Sequence, residues 1–228
     1  MKRFDSIRPY TDSEVQSVLQ QLSTNSDVVK AFISATKFGF LTKIPFSAWI
    51  ASKILQTKIK NIHTINDYQS IFENLVSNMI DTKTSGFTCN GFQNIKPNMS
   101  YLYMSNHRDI TVDPALLNYM LHQNNFKTTN IAVGNNLMSE AWASDLMRLN
   151  KSFIIDRTGK SKREIYQGLN LASEYIEDSI LEKNEPIWIA QKQGRAKDGL
   201  DKTDPALLKM IHLINRKSIP ISDYFNSL

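Results

Sequence analysis

Apolar side chains recur at intervals of three and four along several stretches of the chain, the period of a helix with one face turned inward. Val15, Val18, Leu19 and Leu22 follow Thr11-Asp12-Ser13-Glu14, whose spacing is that of a capping box, so residues 12–23 are expected to form an amphipathic helix. Thr64 and Asp67 repeat the signal with aspartate in the glutamate position, and Ile71, Phe72, Leu75, Val76, Met79 and Ile80 predict a helix over 66–81. Ile165, Leu169, Ala172, Ile176 and Ile180 mark one face of a long helix over 161–182, and residues 114–123, 136–149 and 204–215 also read as helices.

After about residue 85 the pattern alternates. Short apolar runs at 101–105, 130–133, 152–156 and 187–190 predict strands, with Thr88–Asn90 and Ile219–Ile221 as shorter candidates. Strands alternating with helices predict the α/β class: a mixed, partly parallel central sheet flanked by helices and preceded by a helical N-terminal region. The expected division is a helical region over 1–84 and an α/β domain over 85–228.

Residues 28–60 carry Phe32, Phe38, Phe40, Phe46, Trp49 and Ile50 among Lys37, Lys43, Lys53, Lys58 and Lys60, with Gly39 and Pro45 interrupting any single helix. Two readings stand side by side. One is a helical hairpin packed on the core. The other is an interfacial element whose aromatic groups enter a headgroup region while the lysines meet anionic lipid.

Composition narrows the partners. A net charge of +5 favours an anionic one, whether phosphate groups, a membrane surface or nucleic acid. Nucleic acid ranks last, because the aromatic residues are not interleaved with basic ones as a stacking surface requires. A single cysteine, Cys89, allows no disulfide within the chain and fits a reducing compartment. Met1–Asp5 lacks the apolar core of a secretion signal, and no run of eighteen apolar residues occurs. The expectation is a peripheral protein on the cytoplasmic face of a membrane.

In a parallel sheet, reactive groups lie on loops beyond the carboxyl ends of strands. Three such loops carry charge. Ser105-Asn106-His107-Arg108-Asp109-Ile110-Thr111-Val112-Asp113 sets a histidine, which titrates near neutrality, beside two carboxylates able to orient it. Asp156-Arg157 follows the 152–156 run, and the rigid fork of an arginine suits a phosphate. Gln191-Lys192-Gln193-Gly194-Arg195-Ala196-Lys197-Asp198-Gly199 combines glycines with positive charge. Neither GxxxxGK[ST] nor GxGxxG is present, so nucleotide-binding fingerprints are absent.

Read in order, these loops resemble the blocks of the glycerolipid acyltransferases, the 1-acylglycerol-3-phosphate and lysophospholipid acyltransferase superfamily, over about residues 85–222. Gly91-Phe92-Gln93-Asn94-Ile95-Lys96-Pro97 resembles the G-x-E-N-L-P lead-in, and Asn106-His107 through Asp113 the N-H-x4-D block. Asn135-Asn136-Leu137 through Phe153-Ile154-Ile155-Asp156-Arg157 resembles the helix leading to F-I-D-R. Gln193-Gly194-Arg195 occupies the place of P-E-G-T-R, and Ser218-Ile219-Pro220-Ile221-Ser222 that of a closing V-P-V strand.

The resemblance implies that His107 deprotonates a hydroxyl of a lysophospholipid or glycerol phosphate, which attacks the thioester of acyl-CoA or acyl carrier protein. An aspartate would orient His107. Arg157, with Arg195 or Lys197, would hold the acceptor's phosphate, and Asn106, Gln193 and Gly194 would support the site. No metal and no cofactor are implied beyond the donor itself.

The sequence departs from the pattern in three places. Five residues rather than four separate His107 from Asp113, so Asp113 is favoured as the partner while Asp109, one residue beyond Arg108, remains a rival. Gln193 stands where the family has glutamate. The sequence also ends soon after the last block, so the far sheet edge is expected to be trimmed. Two other classes stay open: a non-catalytic lipid-binding relative, and a metal-dependent hydrolase with His107, Asp109 and Asp113 as ligands.

Overall fold

The computed structural model describes residues 3–35, 47–137, 140–198 and 202–228. In chain order these form α1 (Asp12–Thr24), α2 (Ser26–Ala35), α3 (Ser47–Ile59), α4 (Ile65–Lys83), β1 (Leu102–Ser105), α5 (Val112–Gln123), β2 (Asn130–Gly134), α6 (Ala141–Leu149), β3 (Ser152–Ile155), α7 (Lys162–Glu177), β4 (Ile187–Ala190), α8 (Pro205–Ile211) and α9 (Ile221–Ser227). The chain divides into two compact units. A helical unit comprises Pro9–Phe72 and Met138–Asn150, and a sheet unit Met1–Arg8, Glu73–Leu137 and Lys151–Leu228.

The helical unit begins where its caps say it should. Glu14 reaches back to accept the Thr11 amide at 2.8 Å, completing the capping box of α1. Asp67 does the same for α4, accepting the His63 and Thr64 amides, each at 2.9 Å. Val15, Val18, Leu19 and Leu22 of α1 are buried with Ile59, Ile62, Tyr68 and Leu149. Val29 and Ile33 of α2 pack against Ala51 of α3, so these two helices share apolar contacts, as a hairpin reading requires. Trp49 nevertheless stays 64% exposed. Phe38, Phe40 and Phe46 lie outside the described residues. The face of α4 is less buried than its period predicts: Tyr68 is enclosed, whereas Ile71, Phe72 and Leu75 are exposed.

The sheet unit holds four strands in the order β1-β4-β2-β3, every pairing parallel. Alternation along each short strand sends Phe153 and Ile155 of β3, and Ile187 and Ile189 of β4, to one face. There they meet Ala172, Tyr175 and Ile176 of α7, Met210 and Ile211 of α8 and Tyr224 of α9. Each such large side chain contributes about 1.5–3 kcal/mol by leaving water. The outer edge of β3 is covered near its middle, where the Ile154 amide bonds to the Ile7 carbonyl at 2.9 Å.

Three expected elements differ. Thr88–Asn90 forms no strand; it is irregular chain between Gly86 and Gly91, both at positive φ, with Cys89 exposed. Ile219–Ile221 forms none either. Ile219 and Ile221 are exposed, Ile221 opens α9, and it is Tyr224 one turn later that enters the core. The 136–149 helix starts at Ala141, after a single 3-10 turn at Asn135–Leu137.

Candidate active site

Because every strand is parallel, the loops after β1, β2, β3 and β4 all leave the same edge of the sheet. β1 and β4 are neighbours in register, Ser105 opposite Ala190, so the His107 loop and the Gln191–Asp198 loop emerge side by side. The Gln191 amide bonds to the Ser105 carbonyl at 2.9 Å, and the Ala196 amide to the His107 carbonyl at 2.6 Å. Gly194 makes the turn between those two bonds at φ +76, where a side chain would be strained.

The two aspartates of the first loop do different things. Asp113 lies in the first turn of α5 and its Oδ2 reaches back over the loop, accepting the amides of Arg108 at 2.7 Å and Asp109 at 2.9 Å. The same oxygen stands 3.6 Å from His107 Nδ1, and the two side chains are only 18% and 14% exposed. Asp109 instead turns its Oδ1 to the amides of Thr111 and Val112, at 2.8 and 2.9 Å. Those amides, that of Val112 foremost, hold its carboxyl below the usual carboxylate range, with help from the positive charge of Arg195. The structure thus brings His107 and Asp113 together, with Asp109 shaping the start of α5 and Arg195 near it. Among the described residues no three His, Cys, Asp or Glu side chains converge as a metal-ligand set.

The imidazole also rests against Trp188, ring centroids 6.5 Å apart and nearly edge-on. Trp188 donates its indole N–H to Ser105 Oγ at 2.9 Å. Sequence spacing gives no warning of this residue, which reaches His107 only because β4 pairs with β1.

Arg157 enters from the opposite side. β1 and β3 are the outer strands, so His107 and Arg157 start roughly 14 Å apart along the edge, at about 4.8 Å per strand step. Its loop is set by Asp156, whose Oδ1 accepts from the Thr158 amide at 2.9 Å and from Asn135 Nδ2. α7 closes on this loop at Gly168, where a Cβ would come within 2.6 Å of the Asp156 carbonyl oxygen. The Arg157 guanidinium is half-buried, and burial disfavours its charge while Asp204 favours it. It forms no ion pair among the described residues. A half-buried cation in that state can receive an anion.

Of the remaining predicted residues, Asn106 accepts a hydrogen bond from Gln191 Nε2 at 3.3 Å. Gln193, Gly194, Arg195 and Lys197 lie on the exposed turn after β4. Gln191, Trp188 and Asp204 join the site by contacts that the spacing of the chain does not reveal.

The arrangement sets an imidazole that can act as a base beside a carboxylate that can orient it, on the same sheet edge as a half-buried guanidinium that can hold an anion. A model of the acyltransferase family matches residues 86–200, just over half of the chain, and takes in all four strands, His107, Asp113 and Arg157. No curated protein matches the chain. The chain belongs to the acyltransferase family, the domain of the glycerolipid acyltransferase superfamily, and acyl transfer from a donor to an acceptor is the activity that goes with it.

Proposed function

We propose that the chain moves a fatty acyl group from acyl-CoA or acyl carrier protein to a hydroxyl of a lysophospholipid or glycerol phosphate, as a step in phospholipid synthesis. The observation that carries this reading is the His107–Asp113 pair on the same sheet edge as Arg157. His107 removes the hydroxyl proton as the oxygen attacks the thioester carbonyl. A tetrahedral intermediate forms and collapses; the carbon–sulfur bond breaks, and the imidazolium returns its proton to the leaving thiolate. Asp113 faces the imidazolium with opposite charge throughout. Arg157, with Arg195 or Lys197, takes the acceptor's phosphate. The distance between the outer strands is one that an arginine side chain and a three-carbon phosphate ester fill between them. The reaction so written uses no metal and no cofactor.

The site of action on this reading is the cytoplasmic face of a membrane, with attachment through α2, α3 and the segment joining them. No helix among the described residues is long and apolar enough to cross a membrane.

Acyl transfer from a long-chain acyl-CoA, then from acyl carrier protein, to lysophosphatidic acid is measured for the wild type and His107→Ala in parallel. Turnover confined to the wild type is expected. Near-full activity in His107→Ala sinks the mechanism. One observation favours a second reading, a lipid-binding relative without catalysis: Gln193 lies where the family carries glutamate, so the turn after β4 lacks that carboxylate. That reading predicts binding of anionic lysolipid vesicles with no turnover on any acceptor.

A further inference from the structure

Ile187 and Ile189 of β4 turn to the core shared with α7 and α8, so alternation sends Trp188, only 3% exposed, to the opposite face of the sheet. There it lies in register with Tyr103 of β1 and Ile131 of β2. Its indole N–H donates to Ser105 Oγ at 2.9 Å, and the Ser105 hydroxyl donates onward to the Asn106 carbonyl at 3.0 Å. The indole meets the His107 imidazole with 69° between planes and 6.5 Å between centroids, within the range of favourable aromatic pairs.

We propose that Trp188, fixed through its indole N–H to Ser105, is a positioning residue that holds the His107 imidazole with Nδ1 turned to Asp113. The inference rests on the acyl-transfer reading above.

The backbone of the base is held without Trp188. The Ser105 carbonyl accepts the Gln191 amide at 2.9 Å and the His107 carbonyl accepts the Ala196 amide at 2.6 Å, so the chain is pinned on either side of Asn106. Those bonds leave the imidazole able to rotate about its own side-chain bonds. Asp113 Oδ2, 3.6 Å from Nδ1, opposes that rotation weakly, since it lies beyond ordinary hydrogen-bond length. The same oxygen also accepts two backbone amides. The indole supplies a second surface against which the ring rests.

An indole serves in this way only if it does not itself rock. A buried N–H without a partner is costly, so the bond to Ser105 selects one orientation of the indole from those its packing allows. The Ser105 proton is directed to the Asn106 carbonyl, which leaves the lone pairs of its oxygen to accept the indole N–H. Hydroxyl, indole and imidazole thus form one chain of contacts that ends at the base.

The test measures acyl transfer from a long-chain acyl-CoA to lysophosphatidic acid in the wild type, Trp188→Phe and Ser105→Ala, and in each variant combined with Asp113→Asn. Phenylalanine keeps an aromatic ring without the N–H, and alanine removes the acceptor. Each single variant is expected to lower kcat about tenfold with KM little changed, because misplacement by about 1 Å costs up to roughly 100-fold in rate. In the Asp113→Asn background each is expected to add less than about threefold, since the ring then has no carboxylate charge to be held against. Ser105→Thr keeps the hydroxyl and is expected to stay within about threefold of the wild type. Losses that multiply in full with Asp113→Asn mark a merely structural role and overturn the proposal, as does a loss confined to KM. Should Trp188→Phe fail to fold, Ser105→Ala, which leaves the indole in place, decides the matter, and an unchanged kcat there overturns the proposal.

A wild type that turns over no acceptor ends the acyl-transfer reading and leaves the geometry to be tested directly. Nitrogen NMR of protein labelled at histidine, with His107→Ala to assign the signal, reads which ring nitrogen carries the proton when the imidazole is neutral. The wild type is expected to hold the proton on Nδ1, toward Asp113, and Ser105→Ala to show a mixture of the two forms. Identical His107 signals in the two proteins overturn the inference.

Discussion

Asp113 Oδ2 stands 3.6 Å from His107 Nδ1 while accepting the amides of Arg108 and Asp109, so one oxygen shapes the loop and faces the base at once. The two tasks separate by substitution. Asn in place of Asp113 keeps an acceptor oxygen for the two amides and removes the negative charge. The loop should survive and kcat should fall about 10²–10⁴-fold, the range in which acid–base groups contribute. Asp109→Asn keeps the bonds to Thr111 and Val112. Its kcat should fall less than about tenfold, since among the described residues the Asp109 carboxylate hydrogen-bonds to amides of its own loop rather than to His107. Steady-state rates for the two variants decide the matter, and a larger loss in Asp109→Asn reverses the assignment.

Acid should weaken the fold at identifiable carboxylates. Asp67 is held below the ordinary carboxyl value of 3.8, chiefly by the amides of His63 and then Thr64. Asp109 is lowered in the same sense by Val112 and Thr111. A carboxyl lowered by folding stabilises the native state fully above the unfolded pKa, about 4, and that stabilisation fades as pH falls through the lower native value. Urea midpoints measured at pH 5 and pH 3 should therefore drop less in Asp67→Asn than in the wild type, because asparagine still accepts but does not titrate. Equal drops would remove Asp67 from the account.

The four strands are legible in the sequence because each is a short apolar run between polar stops, and parallel pairing buries such runs on both faces. Thr88–Asn90 and Ile219–Ile221 carry the same kind of signal and fail for lack of neighbours. The first lies between two glycines at positive φ, and the second gives way to a helix that buries Tyr224 instead. His107, Asp113 and Arg157 are legible as residue types on the segments that follow β1 and β3. Which aspartate faces His107 is not, because spacing alone leaves both within reach; the answer depends on where backbone amides point. Trp188, Gln191 and Asp204 are invisible for a further reason. Trp188 and Gln191 meet the His107 loop, and Asp204 meets Gln191, only after strands more than eighty residues apart have paired in register.

Arg157 should matter only to acceptors that carry a phosphate. Charge-assisted hydrogen bonds contribute about 1.5–3 kcal/mol, so Arg157→Ala should lower kcat/KM for lysophosphatidic acid roughly 10- to 100-fold, mostly through KM. Lysine should recover part of this, since it supplies charge without the planar fork. Rates with monoacylglycerol should change little. A comparable loss on both acceptors would mean that Arg157 supports the loop after β3 rather than binding an anion.

Trp49 offers a separate handle on the membrane. Among the described residues of α3 it is the most exposed large apolar side chain, at 64%, and Lys53 and Lys58 are exposed on the same helix. Each lysine near an anionic surface is worth about 1 kcal/mol and is screened by salt, whereas an indole entering the headgroup region is not. Cosedimentation with phosphatidylglycerol vesicles should therefore fall in two independent ways. Raising the salt should weaken binding of the wild type. Trp49→Ser should weaken it about tenfold at any salt concentration, from the lost burial of one large side chain. Adding Phe46→Ser should deepen the loss, and the thermal midpoint of Trp49→Ser should stay unchanged because an exposed residue carries little of the fold. Vesicle binding that is indifferent to both substitutions would leave α3 as packing alone and move the membrane contact elsewhere on the chain.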